Sequence, residues 1–330
     1  MTKLKITLAA GAYDRLAALA DGTVQADGID LNFLAMGPEE MFFRMMRHRE
    51  FDVSEMSMSS YVVSLTWDEP PFIAIPVFPS RFFRHSGIYI STKSGIRDPR
   101  DLIGKRIGAP EYQLSAPVWI RGILSDDYGV DARSVTHFTG GIEAPGRKEK
   151  IKIDLPADIS VTPIGTEQTL ARMLVDGEID ALVSPRAPST FFSRPDAVAR
   201  LFPDFGSAER DYFRRTRIFP MMHTVVIRRD VYQANRWIAQ SLQKAFTASQ
   251  KLIYDQLGDA PALPVMLPWL MSHVEETKRE MGDAWWPYGL AGNRQALETF
   301  LRYHHEQGLS RRLVAVDELF APETLEAASV

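Results

Sequence analysis

LIGKRIGAPEYQLSAPVWIRGILSDDYGV, residues 102–130, holds in one run the parts of an α/β ligand-binding unit. An entry turn leads to a short strand at 105–109, a polar loop follows, and a helix starts near Ser115 and stops at Gly129. A loop feeding a helix leaves unpaired backbone N–H groups at the positive end of the helix dipole, which suits a carboxylate or phosphate. The first expectation is a small anionic ligand.

The rest of the chain fits such a unit. At 330 residues it is long enough for one large core or two medium ones, and 45% hydrophobic with 24% charged residues is ordinary globular composition. A formal net charge of −4 argues against nucleic acid as a partner, because displacing counterions from phosphates needs a basic surface. There is no cysteine, which removes disulfides, thiolate nucleophiles and cysteine-based metal sites together. The N-terminal Leu4, Ile6, Leu8 alternation breaks at Gly11, so it reads as a first strand rather than the continuous apolar stretch of a leader. With no apolar run approaching a membrane span, the expectation is a cytoplasmic protein with no membrane partner.

Residues 1–91 alternate strand and helix: strands at 3–9, 30–34 and 52–56, helices at 12–20, 38–47 and 59–65. That rhythm predicts a parallel sheet with crossover helices. Apolar runs follow at 72–78 and 87–91. A second series from Gly95 adds the strand and helix of the opening stretch, a strand near 160–163, a helix at 166–176 and a strand at 181–184. Gly177-Glu-Ile-Asp180 reads as a C-cap and strand entry. The segment 140–156, GGIEAPGRKEKIKIDLP, reads as an exposed loop or hairpin. A strong strand returns at 223–229, and helical patterns follow at 231–257, 267–281 and 294–307.

This order resembles the type II periplasmic-binding-protein fold, in which the chain crosses twice between two lobes. The phrases that carry the likeness are Asp101-Leu-Ile-Gly-Lys-Arg-Ile-Gly108, Trp119-Ile-Arg-Gly-Ile-Leu-Ser-Asp-Asp-Tyr-Gly-Val130 and Leu174-Val-Asp-Gly-Glu-Ile-Asp-Ala181. They are similar to the second lobe of the aromatic sulfonate, nitrate and thiamine-precursor binding proteins. The resemblance implies an α/β protein of two lobes with mixed sheets flanked by helices. Lobe 1 would comprise 1–91 plus 222–330, lobe 2 would be 92–221, and the ligand cleft would lie between them. Phe51-Asp-Val-Ser-Glu-Met-Ser-Met-Ser60, Phe83-Arg-His-Ser-Gly-Ile88, Val183-Ser-Pro-Arg-Ala187, Ile218-Phe-Pro-Met-Met-His223 and Asn293-Arg-Gln-Ala-Leu-Glu298 resemble more narrowly the 4,5-dihydroxyphthalate decarboxylase family. That resemblance implies a cofactor-independent decarboxylase of a hydroxylated aromatic dicarboxylate. The alternative is a solute-binding protein of an ABC-type transporter for an aromatic or heterocyclic anion, since one fold hosts many functions.

A pocket for an aromatic dicarboxylate needs cations for the carboxylates, flat or apolar walls for the ring, and a group that moves a proton. Arg186, directly after the strand at 181–184, and Arg81 and Arg84, beside His85 at the first crossing, are the candidate clamps, by the planar fork of the guanidinium. His85 and His223, at the two crossings, are candidate proton carriers because imidazole titrates nearest neutrality. Asp14 and Tyr13 follow the first strand, where Asp14 is either a helix N-cap or a catalytic group that accepts a ring hydroxyl or carries a proton. Ser57 and Ser59 are candidate caps or ligand contacts, as are Glu111, Tyr112, Gln113 and Ser115 in the opening loop. Glu111 is either an acid–base group or a solvated loop residue. Trp286, in Trp285-Trp-Pro-Tyr-Gly289, is either a stacking wall or core packing. His304 and His305 read as solvated. His85, His223 and Glu111 offer metal-ligand chemistry in principle, but no spacing supports a site, so no metal and no other cofactor is expected. The partner expected is a small aromatic carboxylate, and the chain is compatible with a homo-oligomer.

Overall fold

The computed structural model describes residues 2–258 and 261–325. Among the described residues eleven strands run in chain order: β1 (Leu4–Ala10), β2 (Ile29–Ala35), β3 (Val53–Ser57), β4 (Phe72–Ile75), β5 (Ile88–Ser91) and β6 (Arg106–Ala109), then β7 (Thr136–Thr139), β8 (Val161–Pro163), β9 (Ala181–Val183), β10 (Val198–Arg200) and β11 (His223–Arg228). They form two sheets, in the orders β2-β1-β3-β11-β4 and β10-β5-β9-β6-β7-β8.

The chain divides into two compact units. Unit 1 is Met1–Arg81, His223–Leu297 and Ala315–Val330, and unit 2 is Phe82–Met222 and Glu298–Val314. The first crossing therefore falls before residue 91, because β5 pairs with β9 and β10 of the second sheet. Residues 298–314 also leave the C-terminal helices of unit 1: Tyr303 packs edge-on against Trp119, and the Gln307 side chain binds Arg121 and the Val118 carbonyl.

In unit 1, β1 is parallel to both β2 and β3, with helices Asp14–Ala20 and Pro38–His48 as the crossovers. Strand β11 enters antiparallel between β3 and β4, aligning His223 with Ser57 and Val225 with Glu55. The carboxyl ends of β1 and β3 and the first residue of β11 thus meet at one edge of the sheet. Below that edge Ile6, Leu8, Val53, Ile75, Val225 and Ile227 pack with Leu242 and Phe246 in a dry core.

In unit 2, β6, β7, β8 and β9 are parallel, while β5 is antiparallel to β9 and β10. Helix Ser115–Tyr128 ends at Gly129 with φ 69°, as the sequence predicts, but its N-cap is Leu114 rather than Ser115. Gly177 closes helix Leu170–Asp176 at φ 80°. Asp180 then receives the Arg106 guanidinium through Nε and Nη2, tying β6 to the turn.

Three expectations change. The helical pattern at 231–257 is two helices, Arg229–Ala234 and Ile238–Gly258, parted at Asn235. The helix expected from 267 starts at Leu270, after Pro268. His304 is fully buried beside Phe300 rather than solvated, while His305 is exposed.

Candidate functional site

Strand β3 reads VSEMS and is buried at every position, so Glu55 places a carboxyl group in the middle of a sheet. An unpaired ion there would be untenable, and the fold supplies three donors. The Gly11 N–H donates to Oε2 at 2.8 Å, the Tyr13 hydroxyl donates to Oε1 at 3.0 Å, and His223 Nδ1 lies 2.5 Å from Oε1. Burial alone would push the carboxyl up, but the hydrogen bond and charge of His223, with the Gly11 and Tyr13 donors, hold it below its ordinary value. An ionised carboxylate only accepts, so the imidazole proton sits on Nδ1 and leaves Nε2 for chemistry. The Phe42 ring stands nearly perpendicular to the imidazole, with the ring centres 4.8 Å apart, and helps fix its plane.

Gly11 makes this cluster geometrically possible. A Cβ at that position would lie 2.4 Å from the Tyr13 ring, which folds back over the glycine to reach Glu55. The far side of the site is aromatic and cationic. Arg15 sits 4.2 Å from the Tyr13 ring centre and 4.4 Å from that of Trp286, with Nε on the Pro79 carbonyl. Trp286 is held by its indole N–H on the Phe78 carbonyl. A cavity of about 150 Å³ opens here, lined by Asp14, Arg15, Gln250, Tyr254, Trp285 and Trp286 among others.

The remaining sequence candidates fall in varied places. Ser57 caps helix Met58–Leu65 and stands opposite His223 in the ladder, whereas Ser59 is buried inside that helix. Asp14 is the first residue of its helix rather than the N-cap, is about half exposed, and pairs with Arg15. Arg81 is buried, and its Nη2 is committed to the Pro287 carbonyl and the Asn293 side chain. It clamps the chain around Trp286 rather than offering a free fork.

In unit 2, Arg84 is buried with Nε on the Met222 sulfur at 3.2 Å, and its guanidinium lies over Phe82. Arg186 is exposed just past β9. His85 is 3% exposed, between the rings of Phe202 and Tyr212, and its Nδ1 has no hydrogen-bond partner. Burial pushes it down to about 4, so it stays neutral at pH 7. Its surroundings are those of a packed ring rather than of the proton carrier that the sequence suggested.

The opening loop also differs from expectation. Glu111 is buried rather than solvated, and it receives Arg147 Nη2 at 2.7 Å, Lys150 Nζ at 2.6 Å and the Gln113 amide at 2.9 Å. Burial would raise its carboxyl, but Lys150 and Arg147 hold it below the ordinary value, so it anchors residues 147–150 and is no proton donor. Tyr112 points into unit 2, its hydroxyl on the Gln307 carbonyl and its N–H on Glu149. Ser115 is buried in the first turn of its helix. Glu111→Ala is therefore expected to destabilise the fold by about 3 kcal/mol, since it removes the carboxylate that the buried Lys150 ammonium faces. It should also speed proteolysis within 141–156. Urea unfolding and limited digestion check this, and an unchanged midpoint and digestion pattern would refute it.

The chain is 42% identical over 327 residues to 4,5-dihydroxyphthalate decarboxylase of Comamonas testosteroni, covering 99% of each sequence. The chain belongs to the 4,5-dihydroxyphthalate decarboxylase family. A second relative of that name, from Pseudomonas putida, is 48% identical over 214 residues, 65% of this chain and 83% of the other. No family model matches the chain. Among solved structures, the sulfonate-binding protein SsuA of Methylobacillus flagellatus aligns with TM-score 0.58 at 13% identity, over 98% of this chain and 93% of the other. SsuA of Escherichia coli aligns with TM-score 0.52 at 12% identity, over 98% and 99%. These likenesses show the fold, the two-lobed type II periplasmic-binding-protein-like architecture.

Within the decarboxylase family's chain, two site residues escape sequence reading: Glu55 and Arg15. Tyr288 is a third notable group, with a buried hydroxyl that has no partner. Among the described residues no group of three or more His, Asp or Glu side chains is placed to hold a metal ion, and no helix is long and apolar enough to cross a membrane.

Proposed function

We propose that the protein decarboxylates 4,5-dihydroxyphthalate, or a closely related hydroxylated aromatic dicarboxylate, with no metal or organic cofactor. The observation that carries this reading is the Glu55–His223 pair, with its Tyr13 and Gly11 donors, in a chain of that family. A hydroxyl para to the departing carboxylate feeds electron density into the ring as it passes its proton to the Asp14 carboxylate, which returns it to the phenolate once CO2 has left. His223 delivers a proton from Nε2 to the ring carbon that bears the carboxylate, and Glu55 at Nδ1 stabilises the charged ring beforehand. The C–C bond then breaks, its electron pair returns to the ring, CO2 leaves, and solvent restores the proton to Nε2.

Arg15 is the unit 1 candidate for holding the carboxylate that stays, since its stacked guanidinium is already oriented. Arg84 and Arg186 are the unit 2 candidates. Tyr13 and Asp14 serve the ring hydroxyls. A cytoplasmic place of action goes with the proposal.

The test is incubation with 4,5-dihydroxyphthalate, following CO2 and the monocarboxylate product, before and after treatment with a chelator. Equal amounts of both products, at a rate the chelator leaves unchanged, are expected. Tight binding without product would overturn the reading in favour of a solute-binding role, and loss of rate on chelation would overturn its metal-free part.

A further inference from the structure

Residues 261–271, PALPVMLPWLM, are unrelated to the site, and they follow helix Ile238–Gly258 and run into helix Leu270–Met281. Leu263, Val265, Met266, Leu267, Trp269 and Met271 are all exposed, Trp269 at 72% and Met266 completely. Leu270 and Val274, by contrast, are buried and dock the helix on its own unit. Contiguous apolar patches of this kind are rare on monomers and mark contact surfaces.

We propose that residues 263–271 form a self-complementary surface, covered in solution by the same residues of a second copy of this chain. The area fits: the exposed fractions of these six side chains correspond to roughly 700 Å² per copy, against the ~800 Å² per partner of a standard interface. The charge pattern fits too. The segment 261–271 carries no charged residue, so its two-fold image brings no like charges together. Pro261, Pro264 and Pro268 fix φ at three points, which lowers the entropy lost when the segment docks. A lipid surface suits it less, because apolar faces that lie on membranes are rimmed with Lys and Arg. Here the charged residues nearest in sequence are Asp259, Glu275 and Glu276.

The experiment is sedimentation equilibrium of the full chain across the micromolar range, for the wild type, Met266→Lys and the double variant Met266→Lys/Trp269→Lys. The wild type is expected at twice the chain mass or an even multiple of it. Met266→Lys should weaken self-association at least tenfold, and the double variant should halve the mass with an unchanged far-ultraviolet circular dichroism spectrum. Because Met266 is fully exposed in its own protomer, Met266→Lys reads the interface even if the double variant misfolds. A wild type that stays monomeric, or a Met266→Lys protein that keeps the wild-type mass and affinity, would overturn the proposal. So would a monomeric wild type that co-sediments with phosphatidylcholine vesicles, which would assign the patch to lipid. None of these readouts uses the aromatic substrate, so they stand or fall apart from the decarboxylase reading.

Discussion

His223→Gln is expected to lower the turnover of 4,5-dihydroxyphthalate by about 10²–10⁴-fold, the range lost with a general acid, while substrate affinity changes only a few-fold. Glutamine keeps a polar side chain of similar reach opposite Glu55 but cannot carry a proton to carbon. The imidazole is only 16% exposed and packs perpendicular to the Phe42 ring, so the smaller side chain also loosens that contact, at a modest cost in stability. His85→Leu is the matched control. His85 packs between Phe202 and Tyr212, so replacing one neutral ring by an apolar side chain should leave kcat within about threefold of wild type, far less than the loss of a general acid. Steady-state kinetics with substrate titration separate the two. A His223→Gln enzyme within tenfold of the wild-type kcat, or a His85→Leu enzyme that falls as far as His223→Gln, would remove His223 from the role assigned to it.

The contrast between those histidines shows where the sequence is readable. Both stand at a crossing, and position alone makes them equivalent; what separates them is the partner each meets after folding. His223 is legible because it opens an apolar strand whose register with β3 places it at the sheet edge. Its partner Glu55 carries no local mark, because Val53-Ser-Glu-Met-Ser57 is a mixed run without a clear apolar–polar alternation. The missed signal is that β3 lies inside the sheet, flanked by β1 and β11, where both faces are covered. A glutamate in such a strand needs a donor set, and the donors come from positions 11, 13 and 223, too far apart in sequence for any local pattern. The ion pairs of Glu111 with Arg147 and Lys150 fail to show for the same reason, so an anchored segment reads as a solvated loop. The α/β alternation is local and survives nearly intact. Helix Phe205–Thr216 is invisible in the pattern because two buried residues, Tyr212 and Phe213, hold down an otherwise charged turn sequence.

Glu55→Gln is expected to cost both stability and rate, and to change how stability depends on pH. The amide keeps the shape of the carboxyl but has one NH2 where an acceptor stood. A single orientation cannot accept from Gly11 N–H on one side and from Tyr13 and His223 on the other, so one donor is left facing a donor. Breaking a buried charged network by removing one partner costs about 3–5 kcal/mol. For the reaction, an amide that turns its NH2 toward His223 holds the imidazole with Nδ1 as acceptor and the proton on Nε2. That tautomer cannot be recharged against a carboxylate, and the analogous change in the Ser-His-Asp triad costs ~10⁴ in kcat. The pH dependence follows from the direction of the Glu55 shift. Its folded-state carboxyl lies below the ordinary value, so its stabilisation is complete above the unfolded-state pKa and is lost as pH falls through the folded-state one. The stability gap between wild type and Glu55→Gln should therefore be widest near neutrality and close as the solution becomes acidic below the ordinary glutamate range. Urea unfolding at a series of pH values, run beside the kinetics, measures both effects. A gap that stays constant into acid would mean that Glu55 is not the ion its three donors imply, and a kcat within threefold of wild type would mean that His223 acts without it.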